Sequence, residues 1–242
     1  MPKTLSKKDP NLLEAVNRLK RVQRIWGLLL IGLGALTEWV GASDHPVAGL
    51  PLIAVGLFAL VWAEPAVLAA VAALVAFSIV PSINPRLTIL GPDPLRAAMV
   101  GSTVELIALI VGKALIVLTA SSQFLFYRFL YGTAQATTDD PNMAIIPEMV
   151  PNRTDGLARS ARWIGLIGLA LGAAGLVFVL VVPAVSPTII ILAEMAGSLG
   201  VVAIGLGVGC AFSPTNERNA ALTSVLLGVI AYALGATVLL VL

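Results

Sequence analysis

The chain has 242 residues, 58% of them hydrophobic and only 12% charged, with a mean hydropathy of +0.97. A soluble domain carries about 25% charged residues, so too little polar surface exists here to face water, and the bilayer must be the solvent. The formal net charge of +2 implies no nucleic-acid partner, and the one cysteine, Cys210, lies in an apolar run without a disulfide partner.

At the N-terminus, Asp9-Pro10 reads as an N-cap followed by proline at the first helical position. Leu12, Leu13, Val16, Leu19 and Val22 then recur at helical spacing, with Arg18, Lys20 and Arg21 between them. This predicts a basic amphipathic cytoplasmic segment over 1–23, suited to anchoring on an anionic membrane surface or docking on a partner. Residues 24–242 are expected to form a single transmembrane helical domain.

A spanning helix needs about 20 apolar residues. Segments of this kind fall near 25–42, 47–62, 66–80, 98–120, 163–183, 188–212 and 219–242. The fold expected is therefore an all-α integral membrane protein, a bundle of seven transmembrane helices. The short second and third segments leave five spans plus a short hairpin as the fallback. Val40 and Ala42 fit a signal-peptide cleavage site only weakly, so the first segment is expected to stay as a span.

The basic residues orient this ladder. Twelve of the 15 Lys and Arg fall on one side: seven in the N-terminal tail, Arg128, Arg153, Arg159 and Arg162 after the fourth span, and Arg218 before the last. Arg86 and Arg96 fall on the other side, and Lys113 lies inside a span. By the positive-inside rule the N-terminus is cytoplasmic and the C-terminus outside, in the plasma (cytoplasmic) membrane. Trp26, Trp39, Trp62 and Trp163 all sit at span ends, where amphipathic rings prefer the headgroups. Phe124, Phe126, Tyr127, Phe129 and Tyr131 read as an aromatic girdle after the fourth span.

Between spans three and four, Pro81, Pro85, Pro92 and Pro94 predict an extended outer loop, with Asp93-Pro94 capping the fourth span. A cytoplasmic loop is expected near 121–162. Its apolar, proline-bounded middle, with Ile145, Ile146, Met149 and Val150, gains nothing from water and is the expected partner contact. Asp139-Asp140 in the same loop is accounted for by a cap or solvated turn. The Asn152-Arg153-Thr154 glycosylation pattern is discounted on the cytoplasmic side.

Arg24–Ala35 and Arg162–Ala173 match at six of twelve positions, each opening a span from the same side. A duplication would make spans one to three and five to seven parallel repeats around a central fourth helix. Gly168/Gly172, Ala193/Gly197, Ala196/Gly200 and Gly205/Gly209 have the small-xxx-small spacing that lets helices approach closely in lipid.

Four ionisable residues fall inside spans: Glu38, Glu105, Lys113 and Glu194. Each is costly there, about 2.5 kcal/mol or more for Lys or Asp at the centre. Glu105 and Glu194 are expected about 10 Å from the outer face, with Glu38 shallower. Lys113 is expected nearer the inner end, free to snorkel to the cytoplasmic surface. Glu105 and Glu194 sharing one site, with Ser102, Thr103 and Ser198 near, would suit cation or proton exchange. Hydrogen-bonded carboxylates that serve only packing are the competing expectation.

The only histidine, His45, lies in a short loop, so paired-histidine haem, copper or zinc ligation is excluded and no metal site is expected. No GxSxG, HExxH or phosphate loop occurs, so no catalytic residue and no enzyme is expected. No cofactor follows from the ligand residues, which leaves a bound lipid or pigment open. The function expected is a non-catalytic integral subunit of a larger membrane complex, with the lipid bilayer and other membrane subunits as partners. The alternative is a small ion- or proton-coupled membrane transporter using the buried carboxylates.

Overall fold

The computed structural model describes residues 10–41, 47, 49–62, 65–83, 101–136, 151–181, 186–213 and 215–241. Seven helices and no strand occur among them. In chain order they are α1 (Pro10–Gly41), α2 (Leu50–Val61), α3 (Pro65–Ile83), α4 (Thr103–Ala136), α5 (Pro151–Val181), α6 (Pro187–Ala211) and α7 (Arg218–Val241). Four stretches are long and apolar enough to cross a membrane: Thr103–Tyr127, Thr154–Val181, Pro187–Ala211 and Arg218–Val241. This is compatible with a multi-pass membrane protein.

Local sequence sets several boundaries. Pro51 and Pro187 occupy the first helical turns of α2 and α6, where the missing N–H costs nothing. Ser186 caps α6 by accepting from Thr188 N at 3.3 Å. α3 runs through Pro81 to Ile83, so the expected extended loop begins later than Pro81. So close to the helix end, the amide lost at Pro81 costs one hydrogen bond and the helix continues for a final half turn.

α1 continues without a break from Pro10 to Gly41. Residues 10–23 of the basic amphipathic segment are therefore part of the same helix as the apolar segment that follows. α4 likewise continues to Ala136 and α5 starts at Pro151, so helix occupies both ends of the expected loop near 121–162.

Paired contacts give the helix directions. Gly27 meets Gly56 and Gly34 meets Gly49, so α1 and α2 are antiparallel. Ala66 and Ala70 of α3 meet Gly209 and Gly205 of α6. Gly200 meets Gly228, and Gly235 meets Ala193, so α6 and α7 are antiparallel. Gly165, Gly168 and Gly172 of α5 lie against Leu227, Ala231 and Leu234, so α5 and α7 are parallel. Leu68 of α3 packs on Phe124 and Tyr127 of α4, while Ser78 binds Lys113, again antiparallel. The helices thus alternate. Arg24, Arg159, Arg162 and Arg218 all fall at one end, called the basic end below.

α6 is the centre. It packs on α2, α3, α5 and α7, and is buried around its circumference from Ala196 to Gly207, Leu199 excepted. Such burial demands small residues, because lipid tails are as apolar as leucine and only close backbone approach distinguishes a protein neighbour. α4 lies at the periphery, packed chiefly on α3. The expected repeat around a central fourth helix therefore does not describe this arrangement. Part of the repeat does carry over: Gly27 and Gly34 seat α1 on α2, and the matching Gly165 and Gly172 seat α5 on α6 and α7.

Candidate functional site

The ionisable residues singled out from the sequence are held at separate places in the fold. Glu105 lies in the first turn of α4, which begins at Thr103. Its Oε2 accepts from Gly101 N at 2.6 Å and Ser102 N at 2.9 Å, while Ser102 Oγ accepts from Glu105 N at 3.3 Å. This reciprocal pair is a capping box, satisfying amides that the helix start leaves open. Glu105 is exposed.

Lys113 is 8% exposed, in the interface of α4 with α3. Its Nζ donates to Ser82 Oγ at 2.7 Å and to the Ser78 carbonyl at 2.9 Å. Ser82 Oγ itself donates to the Ser78 carbonyl at 3.0 Å. The lysine is thus directed toward the C-terminal end of α3, away from the basic end. The expected snorkelling toward the basic end does not occur, for two reasons. A helical side chain leans toward its own N-terminus, and the last carbonyls of α3 carry the negative end of that helix dipole. Replacing Lys113 with methionine is expected to loosen α4 from α3 by about 1 kcal/mol, the scale of polar helix–helix bonds in membranes. A disulfide cross-linking rate between cysteines placed at Leu68 and Phe124 would read this as a fall in trapping efficiency.

Glu38 faces the next helix. Its Oε1 accepts from Gly49 N at 2.8 Å, so it caps the start of α2, where glycine itself offers no side-chain cap. Ser198 of α6 donates to the carbonyl of Val47 at 3.5 Å, in the same turn. Glu194 lies one helical turn before Ser198, on the same face of α6, and is 4% exposed. The structure thus brings Glu38 and Ser198 to the turn that precedes α2, with Glu194 one helical turn from Ser198 on α6. It does not bring Glu105 to Glu194, since α4 packs chiefly on α3 and Glu105 is engaged by its own helix start.

A fourth polar junction escaped the sequence reading. Asp155, 5% exposed near the start of α5, receives bonds from the segment leading into α7. Thr215 Oγ1 donates at 2.5 Å and Asn216 N at 2.9 Å to Oδ1, and Asn216 Nδ2 donates to Oδ2 at 3.5 Å. Arg159, one turn on, stands 3.9 Å from Glu217 across the same junction. Asp155 holds a segment 60 residues away that leads into α7, and only the Ser-Pro-Thr-Asn-Glu punctuation before α7 hinted at an awaited partner.

At the basic end, Trp26 Nε1 donates to Gln123 Oε1 at 2.9 Å, and Trp26 packs with Leu68, Phe124 and Tyr127. Two members of the expected aromatic girdle are therefore packing residues, while Phe126 is exposed. α1 and α4 run on for about 20 Å beyond this level at 1.5 Å per residue. Ile145, Ile146, Met149 and Val150 lie outside the described residues. No group of three or more His, Cys, Asp or Glu that could hold a metal occurs among the described residues.

Compared with known proteins, the chain matches no family model, no curated protein and no solved structure.

Proposed function

We propose that this chain is a non-catalytic integral subunit of a larger membrane assembly, crossing the plasma (cytoplasmic) membrane seven times with its N-terminus in the cytoplasm. The observation that carries the reading is the use made of polar groups. Lys113, Glu38, Ser198 and Asp155 each join one helix or turn to another. α6, where a midplane substrate site would be expected, is instead packed tightly with Gly, Ala and Val. Meanwhile α4 rests chiefly on one neighbour and presents Val104, Val111, Leu115 and Leu118 outward. In an assembly that face takes another subunit. The twelve Lys and Arg on one side support the orientation.

Gentle solubilisation followed by native mass measurement tests this. A mass beyond the 25.0 kDa chain and its small multiples is expected. A lone chain or small homo-oligomer overturns it.

A second reading, a small ion- or proton-coupled transporter, rests on Glu194, a buried carboxylate in the central helix. It requires reconstituted protein to dissipate a pH gradient across vesicles, and Glu194→Gln to abolish that leak. The subunit reading expects tight vesicles for both chains.

A further inference from the structure

α1 and α7 each carry an exposed arginine at the basic end, Arg24 and Arg218. From each arginine an exposed apolar stripe runs toward the other end. On α1 it consists of Ile25, Leu28, Leu29 and Leu36, and it closes on Trp39, 81% exposed. α1 stops at Gly41, and the sequence then turns polar through Ser43-Asp44-His45. On α7 the stripe is Leu222, Leu226, Val229, Ile230 and Leu240, and the helix runs to Val241. Helical spacing keeps each stripe on one face of its own helix.

The two stripes differ in length. From Arg24 to the end of α1 is about 25 Å, and from Arg218 to the end of α7 about 34 Å, at 1.5 Å per residue. Both begin at an arginine, so snorkelling lengthens both alike and leaves the difference of about 9 Å. Contacts between helices give an offset of the same sign. Gly49, in the turn that precedes α2, lies against Gly34 and Glu38 of α1, and Ser198 of α6 donates to Val47 in that turn. Beyond Glu38, α1 continues for only about 5 Å, whereas α6 extends about 16 Å from Ser198 to Pro187. α2, with 12 residues, is shorter still. The apolar tract from Ile25 to Trp39 is thus about 21 Å, against a hydrocarbon core of about 30 Å.

We propose that the bilayer is thinned beside α1 and α2, and that this side of the bundle prefers lipids with short acyl chains. A helix too short for the core draws the membrane in, since the alternative exposes hydrocarbon to polar groups. Arginine at one end and an exposed indole at the other are the groups that sit at the two headgroup levels, so lipid is the occupant of this face. The proposal rests on the reading of α1 as a span and goes beyond it to the kind of lipid the span fits.

Spin labels on the full chain, in a Cys210→Ala background and 18-carbon phosphatidylcholine bilayers, test it. Leu36→Cys and Ile230→Cys are the decisive pair, because each lies twelve residues from its arginine on an exposed face. A flat membrane places the two labels at equal depth, read as relative accessibility to oxygen and to a water-soluble nickel chelate. Thinning is expected to bring the Leu36 label about 9 Å closer to water than the Ile230 label. In 14-carbon phosphatidylcholine the difference is expected to shrink, because that bilayer already fits α1. Equal depths in 18-carbon lipid overturn the proposal, as does a difference that 14-carbon lipid leaves unchanged. A Leu36 label that neither reagent reaches would overturn lipid as the occupant and place protein there. Labels at Leu222→Cys and Leu240→Cys report membrane placement itself, and both are expected near water. Their failure would overturn the spanning reading together with this proposal, whereas equal depths at Leu36 and Ile230 overturn this proposal alone.

Discussion

Gly209→Ala is expected to destabilise the bundle by about 1–3 kcal/mol, the range for overpacking a filled interface. A Cβ at this position would overlap the carbonyl oxygen of Ala66, and the obstacle is backbone, which cannot rotate away. α3 would have to retreat from α6. Because α4 packs chiefly on α3, the shift would pass outward to that helix as well. Unfolding by titration with a denaturing detergent is the measurement, with Gly32→Ala as control. A Cβ at Gly32 meets nothing within 4 Å, and alanine is the better helix former. The control is expected to be neutral or slightly stabilising. Equal losses in the two variants would show that close approach at Gly209 is not what holds α3 to α6.

Asp155→Ala is expected to cost about 2–3 kcal/mol, because a buried charged acceptor is lost and its donors are left behind. The carboxylate takes the Thr215 hydroxyl and the Asn216 amide, both in the segment that leads into α7. Without it, Thr215 and Asn216 lose this acceptor on α5, and amide exchange at Asn216 is expected to rise. Asp155→Asn keeps an acceptor oxygen and should fall between wild type and alanine. The interior of α7, seated on α6 through Gly228 and Gly235, should keep its protection in both variants. Unchanged exchange at Asn216 in the alanine variant would remove this role from Asp155.

The helices themselves were legible in the chain. The segments near 188–212 and 219–242 correspond to helices at Pro187–Ala211 and Arg218–Val241, because length and apolar content are local properties. The helix of the fourth segment starts at Thr103, and Glu105 serves there as a cap on its own helix. The capping box Ser102-x-x-Glu105 was present in the sequence as a signature and would have given the correct start. The seven-residue recurrences Gly27/Gly34, Gly49/Gly56 and Gly200/Gly207 were also present. They mark the α1/α2 and α6/α7 contacts more directly than the four-residue spacing does.

The choice of neighbours was a different matter. In water, an apolar face announces its side of the core; in lipid, a face toward the bilayer and a face toward another helix have the same composition. α4 and α6 are both strongly apolar, yet one is peripheral and the other central. Likewise, nothing in their positions along the chain joins Lys113 to Ser82, Glu38 to Gly49, or Asp155 to Thr215. By itself the sequence determined an all-helical chain with apolar helices long enough for a membrane and its basic residues grouped between alternate segments. Only the tertiary structure decided that α6 is the centre and that the ionisable residues are held at separate places in the fold. Helix formation in an apolar chain is settled residue by residue within a turn or two, whereas a helix–helix contact depends on which distant backbone comes close enough to accept a bond or exclude a side chain.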